Sequence, residues 1–105
     1  MSPHWWALLG AGLLEIVWAS LFKHAFKSNH VITAITIAAM IGSFELLWTA
    51  MKTIPVGTAY AVWTGIGAVG AATVGIIAFN EPATALRLGC IALILAGIIG
   101  LKVAA

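Results

Sequence analysis

Long apolar stretches alternate with short polar ones along the chain. Four apolar stretches reach the length of about 20 residues that an α-helix needs to cross the hydrocarbon layer of a membrane. We predict these spans at about 5–22, 31–51, 57–79 and 86–103. Pro55 and Pro82, in two of the polar stretches, favour helix ends just before them. The pattern therefore predicts a single transmembrane domain of four helices over residues 1–105.

The composition favours an all-α membrane protein. Hydrophobic residues make up 63% of the chain and charged residues only 8%, whereas a soluble domain has about 25% charged residues. So few charges do not cover the surface of a water-soluble globule, which excludes a soluble enzyme and a nucleic-acid-binding module. The net charge of +2 forms no basic patch. The single cysteine and the scattered histidines predict neither a metal site nor a cofactor.

The basic residues are divided almost evenly between the two sides of the predicted bundle. Lys23, Lys27 and Arg87 would lie on one side, and Lys52 and Lys102 on the other. Orientation in a membrane normally follows a clear excess of Lys and Arg. Two interpretations stay open: the small excess decides the orientation, or the chain inserts both ways round.

The first span contains an acidic residue, Glu15, near its middle. An ionisable group there costs on the order of 3 kcal/mol on insertion scales and usually serves a proton or ion pathway. Gly12 and Trp18 lie three residues to either side and share its face. We expect Gly12 to leave space beside the carboxyl and the Trp18 indole N–H to hold it. The alternative is a permanently protonated Glu15 that only bonds a neighbouring helix.

The second span contains another acidic residue, Glu45, in its carboxyl-terminal half. Glu45 either extends outwards, meets Lys52, or adds an acidic group to an aqueous cavity, and we expect a peripheral or portal role. Ser43 is two residues away, so its side chain points to a nearly opposite face. By default, Ser43 forms a hydrogen bond from helix to helix.

The third span begins with two aromatic residues one turn apart, Tyr60 and Trp63. Both an interfacial aromatic belt and a pocket lining fit that position. Residues 65–70 match the letters of the dinucleotide-binding motif G-x-G-x-x-G. We reject that interpretation because no strand precedes the motif and it lies inside a membrane span. The glycines instead predict a kink or hinge at Gly65 and Gly67.

Small residues recur at four-residue spacing in the third and fourth spans. The two stripes are Gly67, Ala71 and Gly75, and Ala92, Ala96 and Gly100. Such stripes let helices approach each other closely. Packing within one bundle and contact between subunits both fit this pattern.

Together, these residues resemble the small multidrug resistance family. The resemblance rests on Glu15, Trp18 and Lys23, and most specifically on the run KTIPVGTAYAVWTGIG at 52–67. It covers essentially the whole chain, including four spans in about this length. Within the family, the chain resembles the guanidinium-exporter subtype more than the promiscuous quaternary-ammonium subtype.

That subtype assignment rests on Trp18, Ser43 and the run GIIGLK at 97–102. The resemblance implies an antiparallel homodimer of dual-topology subunits in the lipid of the bacterial inner membrane. Such a dimer would exchange protons for guanidinium or another small cation by alternating access. It would bring two copies of Glu15 together, where protons and a flat cation compete for the carboxyl groups.

The resemblance also implies roles for individual residues. Glu15 would bind the substrate or protons in turn, in a pocket lined by Trp18, Ser43, Tyr60 and Trp63. Gly65 and Gly67 would form the bend of the third helix. Glu45 departs from the family's pattern, because an apolar or aromatic residue is expected there, at the side opening between second helices. This departure leaves the breadth of substrates and the chemistry of the portal open.

Three other functions remain open from the sequence alone. The chain could export bulky quaternary-ammonium or polyaromatic cations instead of guanidinium. It could be a non-transporting subunit that needs a different partner chain in a heteromeric assembly. It could also be a passive cation channel. Transport assays on the pure protein separate these functions.

Overall fold

The computed structural model describes residues 2–27 and 29–105. In these ranges the chain forms four helices: α1 (Pro3–Leu21), α2 (His30–Ala50), α3 (Val56–Ala78) and α4 (Ala85–Ala104). Each of them is long and apolar enough to cross a membrane, and no strand occurs in the described part of the chain. The predicted fold class of an all-α membrane protein is confirmed. The helices begin and end close to the limits predicted from the sequence.

Polar or conformationally restricted residues set the helix ends. The Ser2, Asn29 and Thr84 side chains each accept a backbone N–H in the first turn of α1, α2 and α4, respectively. Helix α3 begins directly after Pro55. It ends before Asn80, whose φ of 56° is left-handed, a conformation that asparagine tolerates better than most residues.

Helix α1 is the centre of the bundle. It packs against both α2 and α3, whereas α2 and α3 contact each other much less. The main cluster of buried apolar side chains lies in the half of the bundle where α1 and α3 begin and α2 ends. Its members are Leu8, Ala11, Leu47, Ala50, Ile54, Ala59, Val62 and Trp63. This arrangement places the middle of α1, and therefore Glu15, between two other helices.

Helix α4 lies at the edge of this core, against which Ile98 and Leu101 pack. Among the helices it packs against α3 alone, and it contains no buried residue. Its exposed side chains are mostly apolar, and they include Leu86, Leu93 and Val103. Most of the α4 surface is therefore available to lipid or to another protein chain.

Glycines set how closely α1 approaches its neighbours. A Cβ on Gly12 would lie 2.6 Å from Cγ2 and 2.8 Å from Cβ of Ile66 on α3. A Cβ on Gly42 of α2 would lie 3.0 Å from Cδ1 of Leu14 on α1. Because the glycines have no side chain, the branched residues of the facing helix fit against the backbone. Close packing of this kind holds α1 in the middle of the bundle.

The Gly12 contact gives a testable prediction for stability. We expect Gly12→Ala to lower the free energy of unfolding by about 1–3 kcal/mol, because the added methyl group overpacks the α1–α3 contact. Gly57→Ala is the matched control, since a Cβ at Gly57 has no atom within 4 Å. Unfolding of both variants in detergent measures the difference. Equal stability of the two variants would contradict the packing observed at Gly12.

Candidate functional site

Glu15 lies buried on α1, against α3. Its exposed fraction is 9%. The carboxyl group rests on Gly67, where an added Cβ would lie 2.7 Å from Cγ of Glu15 and still closer to the carboxyl itself. Its Oε1 atom has no hydrogen-bond partner among the described residues. A buried polar atom without a partner is costly, so this oxygen is available to a proton or a ligand.

The room for the carboxyl comes from Gly67 and not from Gly12. The prediction that Gly12 leaves space beside Glu15 is wrong, because Ile66 fills the volume next to Gly12. On α3, the adjacent residues Ile66 and Gly67 meet Gly12 and Glu15 of α1, respectively. The register between the two helices decides this pairing, and the sequence of α1 carries no information on it.

Trp18 contributes a second buried polar atom without a partner. Its Nε1 atom makes no hydrogen bond within the described part of the chain. The expected bond from the Trp18 indole to Glu15 is therefore absent. The two side chains instead leave one donor and one acceptor open, one turn apart on α1. A cation with N–H donors would satisfy Oε1 of Glu15, whereas Nε1 of Trp18 needs a hydrogen-bond acceptor.

Ser43 joins the three helices around the site. Its hydroxyl donates to the carbonyl oxygen of Ala11 at 2.7 Å and accepts from Nε1 of Trp63 at 3.0 Å. All these groups are buried. Ser43 thus bonds helix to helix, as expected, but its hydroxyl donates to the α1 backbone one turn before Glu15 and not to the carboxyl group.

Trp63 is a core residue. Only 6% of its surface is exposed, which excludes the interpretation as an interfacial belt residue. Its ring centroid lies 5.6 Å from that of Tyr60, which is half exposed. Tyr60 therefore occupies the outer end of this aromatic pair, and Trp63 the inner end.

Phe44 completes a continuous aromatic wall that the sequence did not reveal. Its ring centroid lies 5.7 Å from that of Trp63 and 6.2 Å from that of Trp18. The wall runs from Trp18 through Phe44 and Trp63 to Tyr60. A phenylalanine in an apolar span carries no signal of its own, and only its neighbours Ser43 and Glu45 marked this part of α2. Aromatic faces attract cations, so the wall is suited to a positively charged ligand.

The glycines predicted as a hinge lie in an unbroken helix. Helix α3 is continuous from Val56 to Ala78. A Cβ on Gly65 would lie 3.0 Å from Ile98 of α4, and Gly67 receives the Glu15 carboxyl. Gly65 thus packs against α4, and Gly67 packs against α1. Their role as a hinge stays a prediction.

Glu45 lies on the outer surface of α2. Its side chain is exposed, as is that of Trp48, one turn further along the same face. The only ion pair among the described residues joins Glu81 and Arg87 at 3.2 Å, so the alternative pairing of Glu45 with Lys52 is not observed. A role for Glu45 at a portal stays a prediction.

The site combines a buried acid, an open indole donor and an aromatic wall. No group of three His, Cys, Asp or Glu side chains in the described ranges could hold a metal ion. The unpartnered carboxyl oxygen can accept a proton or the N–H groups of a compact cation. The aromatic rings can face the same cation from the side.

The bond between Ser43 and Trp63 gives a second prediction. We expect the variants Ser43→Ala and Trp63→Phe to be coupled in a double-mutant cycle by about 0.6–1.7 kcal/mol, the range for hydrogen bonds between membrane helices. Reversible unfolding in mixed micelles measures this energy. In the control cycle, Thr73→Ala is combined with Trp63→Phe. The Thr73 hydroxyl donates to the carbonyl oxygen of Val69 within its own helix, so this pair should not be coupled. Additive effects in the Ser43 cycle would refute a stabilising bond.

Comparison with known proteins identifies the family. The model of the family described as Small Multidrug Resistance protein matches residues 3–94. A protein of Salmonella typhimurium named Guanidinium exporter is 58% identical over 102 residues, which cover 96% of this chain and 97% of that protein. A protein of Escherichia coli with the same name is 57% identical over 99 residues, or 93% and 94% of the two chains.

These relatives are transporters, so the prediction that the chain is not an enzyme is confirmed. The four apolar helices and the origin of the relatives in Gram-negative bacteria indicate a multi-pass protein of the inner membrane. The match of the family model extends from the beginning of α1 into the middle of α4. On this sequence, fold and similarity, the chain belongs to the small multidrug resistance family.

Proposed function

We propose that this chain exports guanidinium or small guanidinyl cations in exchange for protons. The observation that carries the proposal is the buried Glu15 carboxyl, whose Oε1 has no hydrogen-bond partner among the described residues. The relatives named Guanidinium exporter, which are 57–58% identical over nearly the whole chain, support the choice of substrate.

A guanidinium ion matches this site in shape and charge. Its planar N–H groups form paired hydrogen bonds with a carboxylate. Its flat face is suited to the rings of the aromatic wall. The floor of the site is closed, because Ile66 and Gly67 pack directly against α1. A compact cation therefore fits the site better than a bulky polyaromatic one.

Competition for Glu15 is the proposed source of coupling. A protonated Glu15 is neutral and no longer attracts a cation, whereas an ionised Glu15 does. Protons and substrate thus occupy the same carboxyl group in turn. External protons displace the cation on the external side, and on the internal side the cation displaces the protons. Alternating access links the two movements.

The working unit that we propose is an antiparallel homodimer. One chain provides one Glu15 and one part of the aromatic wall, and a second copy would complete a central site. Helix α4 offers a surface for such a contact: Gly89, Gly97 and Gly100 have no atom within 4 Å of an added Cβ, so another helix could approach closely. The near balance of three basic residues against two across the membrane supports insertion in both orientations.

The first prediction of this proposal concerns Glu15. We expect Glu15→Gln to abolish proton-driven guanidinium uptake by the pure protein in liposomes, because a glutamine neither carries the charge nor exchanges a proton. Glu81→Gln is the matched control: Glu81 lies between α3 and α4, outside the helices, and we expect it to retain most of the uptake.

The same liposomes test the other candidate functions. Undiminished uptake by Glu15→Gln would remove Glu15 from the mechanism. Uptake of a large quaternary ammonium in preference to guanidinium would favour the drug-exporter subtype. Failure of guanidinium to move uphill when a proton gradient is imposed would favour a passive channel. Inactivity of the pure chain, restored by a different partner chain, would indicate a heteromeric assembly.

A separate prediction concerns Glu45 at the outer face of α2. We expect Glu45→Ala to change the relative uptake of guanidinium and its alkyl-substituted derivatives, because an exposed carboxylate beside Phe44 and Trp48 favours a small hydrated cation at this opening. Competition assays with substrates of increasing alkyl length measure the change. If Glu45→Ala leaves both the substrate range and the pH dependence of uptake as they are, Glu45 has no portal role.

A further inference from the structure

An apolar cleft separates the beginning of α1 from the end of α4. It has a volume of about 220 Å³ and is only partly enclosed. Its lining consists of Trp5 and Leu9 from α1, Val62 from α3, and Ile98, Ile99, Lys102 and Val103 from α4. The cleft exists because α4 packs against α3 alone and leaves α1 uncovered there. It is distinct from the Glu15 site, with which it shares no residue.

Lys102 is the one charged residue along the cleft, which it lines with its carbon chain, while its ammonium lies over the ring of Trp5. The Nζ atom lies 4.8 Å from the centre of the Trp5 ring, in the last turn of α4. Trp5 is near the first residue of α1, so both side chains lie at the same membrane face. Among the described residues, no carboxylate pairs with Lys102. The protein itself thus supplies an aromatic face but no negative charge.

We propose that this cleft binds one anionic phospholipid. An acyl chain would lie along the apolar lining, and the headgroup would pair with Lys102 at the membrane face. Three features of the cleft select this occupant: an apolar floor, an unpaired ammonium at one end, and a tryptophan at the level of the headgroups. The exposed Ile99 and Val103 side chains form its outer edge, where lipid is the surrounding solvent.

The lipid would act as a spacer between two helices that do not pack against each other. It would cover the part of the half-buried Leu9 that α4 leaves open, and it would neutralise Lys102. The charge of a single lysine near an anionic membrane surface is worth about a five-fold change in affinity. We expect a preference of this size for phosphatidylglycerol over phosphatidylcholine with the same acyl chains.

Native mass spectrometry of the detergent-solubilised protein tests the proposal, because it resolves each bound lipid. We expect Lys102→Gln to reduce the affinity for phosphatidylglycerol about five-fold and to leave that for phosphatidylcholine unchanged. Lys102→Arg retains the charge and should retain the preference. Lys52→Gln is the matched control, since Lys52 lies at the same membrane face and does not line the cleft. If Lys52→Gln and Lys102→Gln lose the same affinity for phosphatidylglycerol, the effect is a general one of surface charge, and the proposal is overturned.

A second variant tests the apolar part of the cleft with the charge in place. We expect Ile99→Trp to fill the cleft and to weaken binding of both lipids. The same spectra report the oligomeric state. If Ile99→Trp changes the oligomeric state but not the binding of lipid, the cleft receives side chains of a second copy and the proposal is wrong. Retention of the phosphatidylglycerol preference by Lys102→Gln would also refute it.

Discussion

The structure depends on the burial of one carboxyl group inside a membrane bundle. Burying Glu15 is costly unless its surroundings compensate, and the chain provides room but few partners. Gly67 makes the room, since its backbone meets the carboxyl directly. The remaining requirement, a partner for Oε1, is left to a proton or a ligand. The buried carboxyl oxygen of this site therefore lacks a hydrogen-bond partner within the described part of the chain. A binding site for exchangeable cations requires such an open acceptor.

The helices around Glu15 are held by packing and by the buried hydrogen bonds of Ser43. Gly12 and Gly42 let α1 approach α3 and α2. Ser43 then bonds the α1 backbone and the Trp63 indole at once. Apolar contacts alone discriminate weakly between helix positions in lipid, because lipid tails are as apolar as the side chains. The Ser43 bonds therefore fix the position of the aromatic wall relative to Glu15.

Helix α4 has a different relation to the bundle from the other three helices. It contributes nothing to the Glu15 site and contacts α3 alone, close to Gly65. Its position leaves one surface open towards other chains and a cleft open towards α1. The unpartnered Oε1 of Glu15 and the uncovered surface of α4 both support the proposal that two copies of the chain form the working unit.

The sequence by itself determined the class of the protein and the position of its unusual residues. Four apolar stretches of membrane-spanning length, with prolines between some of them, predicted the four helices, because length and hydropathy decide whether a segment enters a membrane. An acidic residue in such a stretch stands out for its energetic cost, so Glu15 and Glu45 were recognisable without a structure.

Only the tertiary structure decided which residues meet. The register of α1 against α3 places Gly67, and not Gly12, beside the carboxyl. The packing of the helices also places Trp63 in the core and Tyr60 at its edge. The sequence does not reveal this difference, because both residues are aromatic and lie one turn apart. Phe44 joined the site for the same reason: an apolar residue gains its role from the rings that pack against it, and these belong to other helices.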